Sequence, residues 1–226
     1  MSDHPITLLL TLFTGLVSWQ AFSNVNLFER WLFSPYLVKH NKEYKRIFTH
    51  ALIHANWPHL IFNMIAFYSF GRNIEIVFSD EMIFRSVFPP SIHYWGKTAG
   101  QVFYLLLYIG GIAFATIPAF QKHSNSETYR AVGASGGVSA VMMASAVLFP
   151  TSEIYFFLAL PMPAFIWAIV FLFLEDYLSK RGGTNIAHDA HIWGAIFGVA
   201  FIALLNVEFI PLFFDQVAAK IHQWRT

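Results

Sequence analysis

The pentapeptide Gly133-Ala134-Ser135-Gly136-Gly137 lies in a stretch, residues 131–149, that carries no charged residue. A hydroxyl buried in such a stretch without a partner costs free energy, so its presence calls for a reason. Serine becomes a strong nucleophile when a base takes its proton, and imidazole is the usual base. The run Ala190-His191-Ile192-Trp193-Gly194-Ala195-Ile196-Phe197-Gly198 puts His191 at the head of another apolar segment. The oxyanion formed on attack needs preorganised donors. His59 and Asn63, spaced i, i+4 and so on one helix face, are candidates beside the backbone N–H of Ser135. These residue types support hydrolysis by a Ser–His dyad. Asp189 is close to His191 in sequence, but residues so near along a helix do not face each other, and no acidic third member is assigned.

Six apolar segments must position these groups: roughly 6–22, 57–78, 99–120, 131–149, 154–174 and 190–205. Each is long enough, or nearly so, to cross ~30 Å of hydrocarbon as a helix. Composition agrees. Hydrophobic residues make up 56% of the chain, charged residues 12%, and mean hydropathy is +0.51, whereas soluble domains carry about 25% charged residues. With 25 Phe and 7 Trp, there is more apolar surface than a 226-residue globule can hide. Lipid is the expected solvent, and the protein reads as multi-pass. A net charge of +1 with no long basic run excludes nucleic acid as a partner. Cysteine is absent, which excludes disulfides and thiolate metal sites.

The first segment lacks the positive start of a signal peptide, so a retained helix is expected. The fifth carries Leu160-Pro161-Met162-Pro163 near its middle, which predicts a kink or loose packing. Gly182-Gly183, between the fifth and sixth, marks a flexible point. There is no internal repeat, and residues 1–226 read as one membrane domain.

Successive spans alternate in direction, so the second, fourth and sixth run parallel. Their N-terminal ends, with His59, Ser135 and His191, then lie at comparable depth on one side. Gly136, Ala140 and Ala144 form a small-residue stripe on the fourth span, and Gly194 with Gly198 forms one on the sixth. Such stripes let transmembrane backbones approach closely. His191 shares the face of Gly194 and Gly198. Alone the glycines would only pack helices; with Ser135 and His191 at the ends of both stripes, packing and chemistry coincide.

Taken together, the motifs resemble those of rhomboid intramembrane serine proteases, over a core of about 43–205. The family's GxSG turn matches Gly133-Ala134-Ser135-Gly136, its AHxxGxxxG helix matches Ala190 through Gly198, and its HxxxN matches His59 through Asn63. The stretch Glu43-Tyr44-Lys45-Arg46-Ile47-Phe48-Thr49-His50-Ala51-Leu52-Ile53-His54 is similar to the family's first-loop border. The resemblance implies an all-α integral membrane protein with a six-transmembrane-helix rhomboid-like bundle. It implies Ser135 as nucleophile, His191 as general base, and His59, Asn63 and the Ser135 amide as oxyanion donors. It also implies transmembrane protein substrates met in the bilayer of a cell membrane, and no cofactor. His188 and His54 are candidates for accessory roles. Three features depart from the pattern. Lys45-Arg46 replaces Trp-Arg, Ser79 replaces the last glycine of the pattern begun by Gly71 and Glu75, and Ser139 stands where some members stack a tyrosine on the base.

Other readings explain less. A metal-dependent hydrolase built from His54, His59, His188 and His191 has histidines enough, but leaves Ser135 and its glycines unexplained and lacks HExxH. Non-catalytic relatives that bind membrane helices lack the serine or the histidine, and this chain has both. A soluble α/β-hydrolase elbow needs a preceding strand and a sheet, and none can be drawn here.

Overall fold

A computed structural model describes residues 4–156, 160–181 and 188–225. α1 (Pro5–Ser23) opens on a proline, which suits the first turn of a helix. A first loop follows, built from α2 (Val25–Trp31), α3 (Pro35–His40), α4 (Arg46–Thr49) and a 3₁₀ turn, His50–Leu52. α5 (Trp57–Ser79) starts where Trp57-Pro58 places it, with Asn56 Oδ1 capping the N–H of His59 at 2.9 Å. After α6 (Glu81–Val87) come α7 (Lys97–Ala115) and α8 (Ile117–His123), then α9 (Ser135–Leu148). Strands β1 (Glu153–Phe156) and β2 (Leu160–Pro163) precede α10 (Ala164–Arg181), α11 (His188–Leu205) and a last helix, α12 (Phe209–Gln223).

The chain is therefore mostly helical, but not all-α among the described residues. The segment 154–174, expected as one span, begins as an antiparallel hairpin with Glu153 opposite Pro163 and Ile154 opposite Met162. Pro161 and Pro163 have no N–H to give a helix, so the helix waits until both are passed. α10 then starts with its first donors satisfied by the preceding loop: Ala164 N–H bonds Ser152 O at 2.8 Å and Phe165 N–H bonds Pro150 O at 2.9 Å. The expected hinge at Gly182-Gly183 lies outside the described residues.

A helix occupies each of the other five expected segments. By length and composition, three stretches can cross a membrane: Pro5–Ser23, Lys97–His123 and His188–Leu205. α5 is long enough but carries Arg72 and Glu75, α9 is apolar but only 14 residues long, and α10 ends in Glu175, Asp176, Lys180 and Arg181.

α9 forms the centre. Every residue in it after Ser135 is buried, by α11 on one side and by α7 and α5 on the others. α1 is fastened to the outside of α5 by a buried carboxylate. Glu75 accepts from the N–H groups of Ile6 (2.8 Å) and Thr7 (2.7 Å) and from Thr7 Oγ1 (2.6 Å). It thus satisfies donors that a helix N-terminus leaves without partners, and its charge suits that end of the helix. Hydrogen bonds to a charged group contribute about 1.5–3 kcal/mol each. Glu75→Gln, which loses the charge and one acceptor oxygen, should lower the melting temperature in detergent by several degrees; an unchanged value would mean that α1 is held by packing alone.

Candidate active site

Ser135 is the first residue of α9, half-buried, and the turn that presents it is tethered from three directions. Phe33 and Ala131 exchange backbone hydrogen bonds at 2.9 and 3.0 Å. The N–H of Gly133 bonds His50 O at 2.9 Å, and that of Ala134 bonds His54 Nε2 at 3.3 Å. Gly133 has φ +114°, which disfavours any side chain, and a Cβ there would lie 2.6 Å from His59 Cε1. The glycine before the serine is therefore required twice, by the turn and by the imidazole against it.

The first loop that supplies these tethers is itself pinned by a buried guanidinium. Arg46 Nη1 donates to Glu29 O and Leu32 O, both at 2.8 Å, while its Nε pairs with Glu43 at 2.8 Å. Lys45 is exposed. Of the Lys45-Arg46 pair, the arginine seats the loop.

His50 and His54 are both buried struts. His50 Nδ1 donates to Arg46 O at 2.9 Å. The Ser18 hydroxyl donates to Leu52 O at 2.9 Å, so it must accept from His54 Nδ1 at 2.8 Å. His54 Nε2 is then the acceptor for Ala134. Both ring nitrogens of His54 are in use, which removes it from any set of metal ligands.

α11 meets α9 through backbone. A Cβ on Gly194 would sit 2.2 Å from Gly136 O, and one on Gly198 would sit 2.2 Å from Ala140 O. On its other side, α9 meets α7 where a Cβ on Gly136 would fall 2.3 Å from Ala115 Cβ. The stripes expected from the sequence thus interlock. Since Gly136 follows Ser135 and His191 lies one turn before Gly194, this closest crossing brings the first turns of α9 and α11 side by side.

On α5, His59 packs against Gly133 and its ring lies 5.0 Å from that of His54. Asn63 is buried, with one amide hydrogen donated to His59 O at 2.9 Å, which leaves the second available.

His191 Nδ1 lies 3.0 Å from Glu175 Oε2, though out of line for a hydrogen bond. His188 Nδ1 bonds the same oxygen at 2.6 Å. Among the described residues, Ser135 and His191 form no direct hydrogen bond; such contacts are often loose before substrate binds. The ring of Phe171 faces that of His191 at 6.5 Å and 23°. Asp189, adjacent to the site in sequence, is drawn away by Lys122 and Ser179. Glu175, His188 and His191 are the grouping among the described residues able to hold a metal ion, with ligand atoms within 4.8 Å of one another. Of the four histidines of the metal reading, His188 and His191 belong to this grouping and His54 and His59 do not.

Residues 41–207 match the rhomboid domain. The chain belongs to the rhomboid family. It is also 30% identical over 213 residues to "RHOMBOID-like protein 12, mitochondrial" of Arabidopsis thaliana. That alignment covers 92% of this chain but only 60% of the relative, so the chain spans well under the relative's full length.

Two features of this rhomboid site escape the sequence. Glu175 is 13 and 16 residues from its histidine partners, and only the antiparallel packing of α10 on α11 joins them. The acidic pair Glu175-Asp176 closing an apolar run was the available signal. His54 as a strut for the nucleophile's turn could not be read, since Ser18 is in a different helix.

Burial lowers the pKa of His50 from 6.5 to about 4. It lowers that of His54 from 6.5 to about 3, with the neighbouring His59 and His50 adding to the shift. Unfolded, both would titrate near 6.5. Below that pH the unfolded chain binds protons that the folded one refuses, so stability is full above about 6.5 and falls as pH drops toward 4 and 3. The melting temperature in detergent should decline from pH 7 to pH 5. His50→Asn combined with His54→Asn should start lower and show a flatter decline; an equally steep one would assign the acid sensitivity to other groups.

Proposed function

We propose that this rhomboid is an intramembrane serine endopeptidase that cleaves transmembrane segments of membrane proteins. The observation that carries the proposal is the Gly136–Gly194 crossing, which sets the turn bearing Ser135 beside the turn bearing His191. In this reading residues 1–226 form one membrane domain, and α5, α9 and α10 join the three most apolar stretches that meet the length standard to complete six spans. The relative is mitochondrial by name; a cell membrane is our proposal for this chain, which fractionation of its host tests.

The chemistry runs as acyl transfer. His191 Nε2 takes the proton of Ser135 as Oγ adds to the scissile carbonyl carbon. The electron pair moves to the carbonyl oxygen, which meets the Ser135 N–H, the second Asn63 amide hydrogen and His59. Collapse breaks the C–N bond, and the proton on His191 passes to the leaving nitrogen. Water then repeats the sequence on the acyl-enzyme. Ser135, His59 and His191 are each partly buried, and preorganised donors act more strongly in a low-dielectric environment.

Substrate access follows from the looser side of the bundle. A cavity of about 750 Å³ runs along α5 from Phe62, beside Asn63, to Val77, closed by the hairpin, α10 and the far half of α9. Its lining on α9 begins at Met142, seven residues and so ~10 Å beyond Ser135. It is therefore read as a route for a helix rather than the reaction centre. Phe70 of α5 and Trp167 of α10 face each other across it at 5.8 Å.

In proteoliposomes holding a panel of single-pass substrates, Ser135→Ala and His191→Ala should each abolish cleavage while the bundle stays folded. Cleavage by either variant would remove the mechanism; inactivity of the parent protein on every substrate, with substrate helices still bound, would favour a non-catalytic binder. Asn63→Ala should slow turnover by roughly 10- to 1,000-fold, since one lost oxyanion donor costs up to about 4 kcal/mol. The absence of native cysteine allows a clean test of access. A bifunctional thiol cross-linker joining Phe70→Cys and Trp167→Cys should slow cleavage of transmembrane substrates far more than of small soluble esters. Equal effects on both would rule out this side as the entrance.

A further inference from the structure

Glu175 belongs to none of the motifs above, yet it is a buried carboxylate in the wall of the site. A charge in that position needs compensation from hydrogen-bond donors. Two imidazoles approach it: His188 Nδ1 bonds Oε2 at 2.6 Å, and His191 Nδ1 stands 3.0 Å from the same oxygen, out of line for a hydrogen bond. We propose that Glu175 is a positioning residue for the proposed reaction, its Oε2 holding His191 in the Nδ1–H tautomer so that Nε2 presents its lone pair to Ser135, with His188 as the second donor that fixes the carboxylate. The inference rests on the Ser135–His191 reading.

Tautomer logic carries it. An ionised carboxylate only accepts, so each Nδ1 that bonds it must carry a proton; in a neutral imidazole this leaves Nε2 unprotonated. A base whose free nitrogen faced the wrong way would not take the serine proton. The same oxygen stands ready beside the imidazolium that forms once the proton has moved. The His191 contact is short but out of line, and a small ring rotation aligns it.

α10 is built to supply this contact. Phe171 and Glu175 are spaced i, i+4 and share a face; the first lies against the plane of the His191 ring and the second against its Nδ1 edge. One turn further, Ser179 holds Asp189, so successive turns of α10 fasten the start of α11. Ser139, one turn along α9 from Ser135, offers the imidazole no ring. Orientation of the imidazole here comes from α10 instead.

The competing reading is a metal centre on the same three residues. Ligands ~2.1 Å from a tetrahedral zinc ion lie ~3.4 Å from one another, and the 2.6 Å between His188 Nδ1 and Glu175 Oε2 is a hydrogen-bond distance. The geometry favours the proton over the ion.

The test uses the whole protein in proteoliposomes. Glu175→Gln should lower kcat by about 100-fold or more, as loss of the orienting carboxylate does in soluble triads, with KM within about twofold. Glu175→Asp should recover part of the loss, and His188→Asn should cost about tenfold. In protein labelled with ¹⁵N-histidine, the resting His191 should show an unprotonated Nε2, a signature that changes in Glu175→Gln. A kcat within threefold of the parent with that signature unchanged would overturn the proposal, as would an Nε2–H tautomer in the parent protein. Loss of activity on chelation, restored by zinc, would replace it with the metal centre. Ser135→Ala in the same assay separates the two levels. If it is inactive while Glu175→Gln is normal, only the positioning role fails; if it still cleaves, the serine mechanism fails. Should Glu175→Gln not fold, the tautomer of the parent decides.

Discussion

The whole arrangement depends on how closely one backbone can approach another at the centre of the bundle. Gly194 and Gly198 lie against the carbonyls of Gly136 and Ala140 with no room for a methyl group. Lipid offers no hydrophobic drive for helices to associate, so packing at this range is what holds them. The consequence reaches every other element. With α11 and α7 this close, α9 is buried along its length, and 14 residues suffice because it has no lipid face to cover. Its N-terminal serine is carried into the interior by the same contact that delivers the histidine. Packing and chemistry share one set of atoms.

A bundle of this kind must account for each polar group it encloses, because an unsatisfied one costs several kcal/mol in hydrocarbon. Here the buried polar groups form separate small assemblies. Glu75 holds the start of α1, Arg46 ties three parts of the first loop together, and His54 links Ser18 to the turn before Ser135. These are scaffold: Arg46 and His54 support the Ser135 turn from outside, while Glu75 works toward the other end of α5. Glu175, His188 and His191 form the assembly on the other wall. The Ser135 turn is held by the first loop, and in the proposed mechanism the base is held by α10. Movement of α10 would therefore act on the base before it acted on the serine.

The parts legible in the sequence were those with few chemical alternatives. Gly133 could be read from its place two residues before Ser135 and Gly194 from its spacing to His191; the turn and the His59 contact that exclude a side chain at Gly133 emerge only from the structure. The start of α5 was legible from Pro58, although the cap by Asn56 was not singled out. The hairpin was missed for a physical reason. Proline forbids continuation of a helix but does not say what replaces it, and 154–163 is apolar enough to pass for half a span. The amphipathic α12 left no motif to find. Glu175 was hidden because its partners come from the next helix: separation along the chain carries no record of antiparallel contact. α5, α9 and α10 fall short of the apolar-length standard through charged residues or through length; Glu75 and Glu175 are held in the buried interior, whereas Arg72 is exposed.

The most direct test of the central claim is covalent. The purified protein, treated with a fluorophosphonate in detergent and read by intact mass and peptide mapping, should carry one adduct, on Ser135. Labelling should disappear in His191→Ala while the melting temperature is kept. An adduct elsewhere, or labelling of Ser135 that proceeds at the parent rate without His191, would contradict the account of a serine activated by its neighbour on α11.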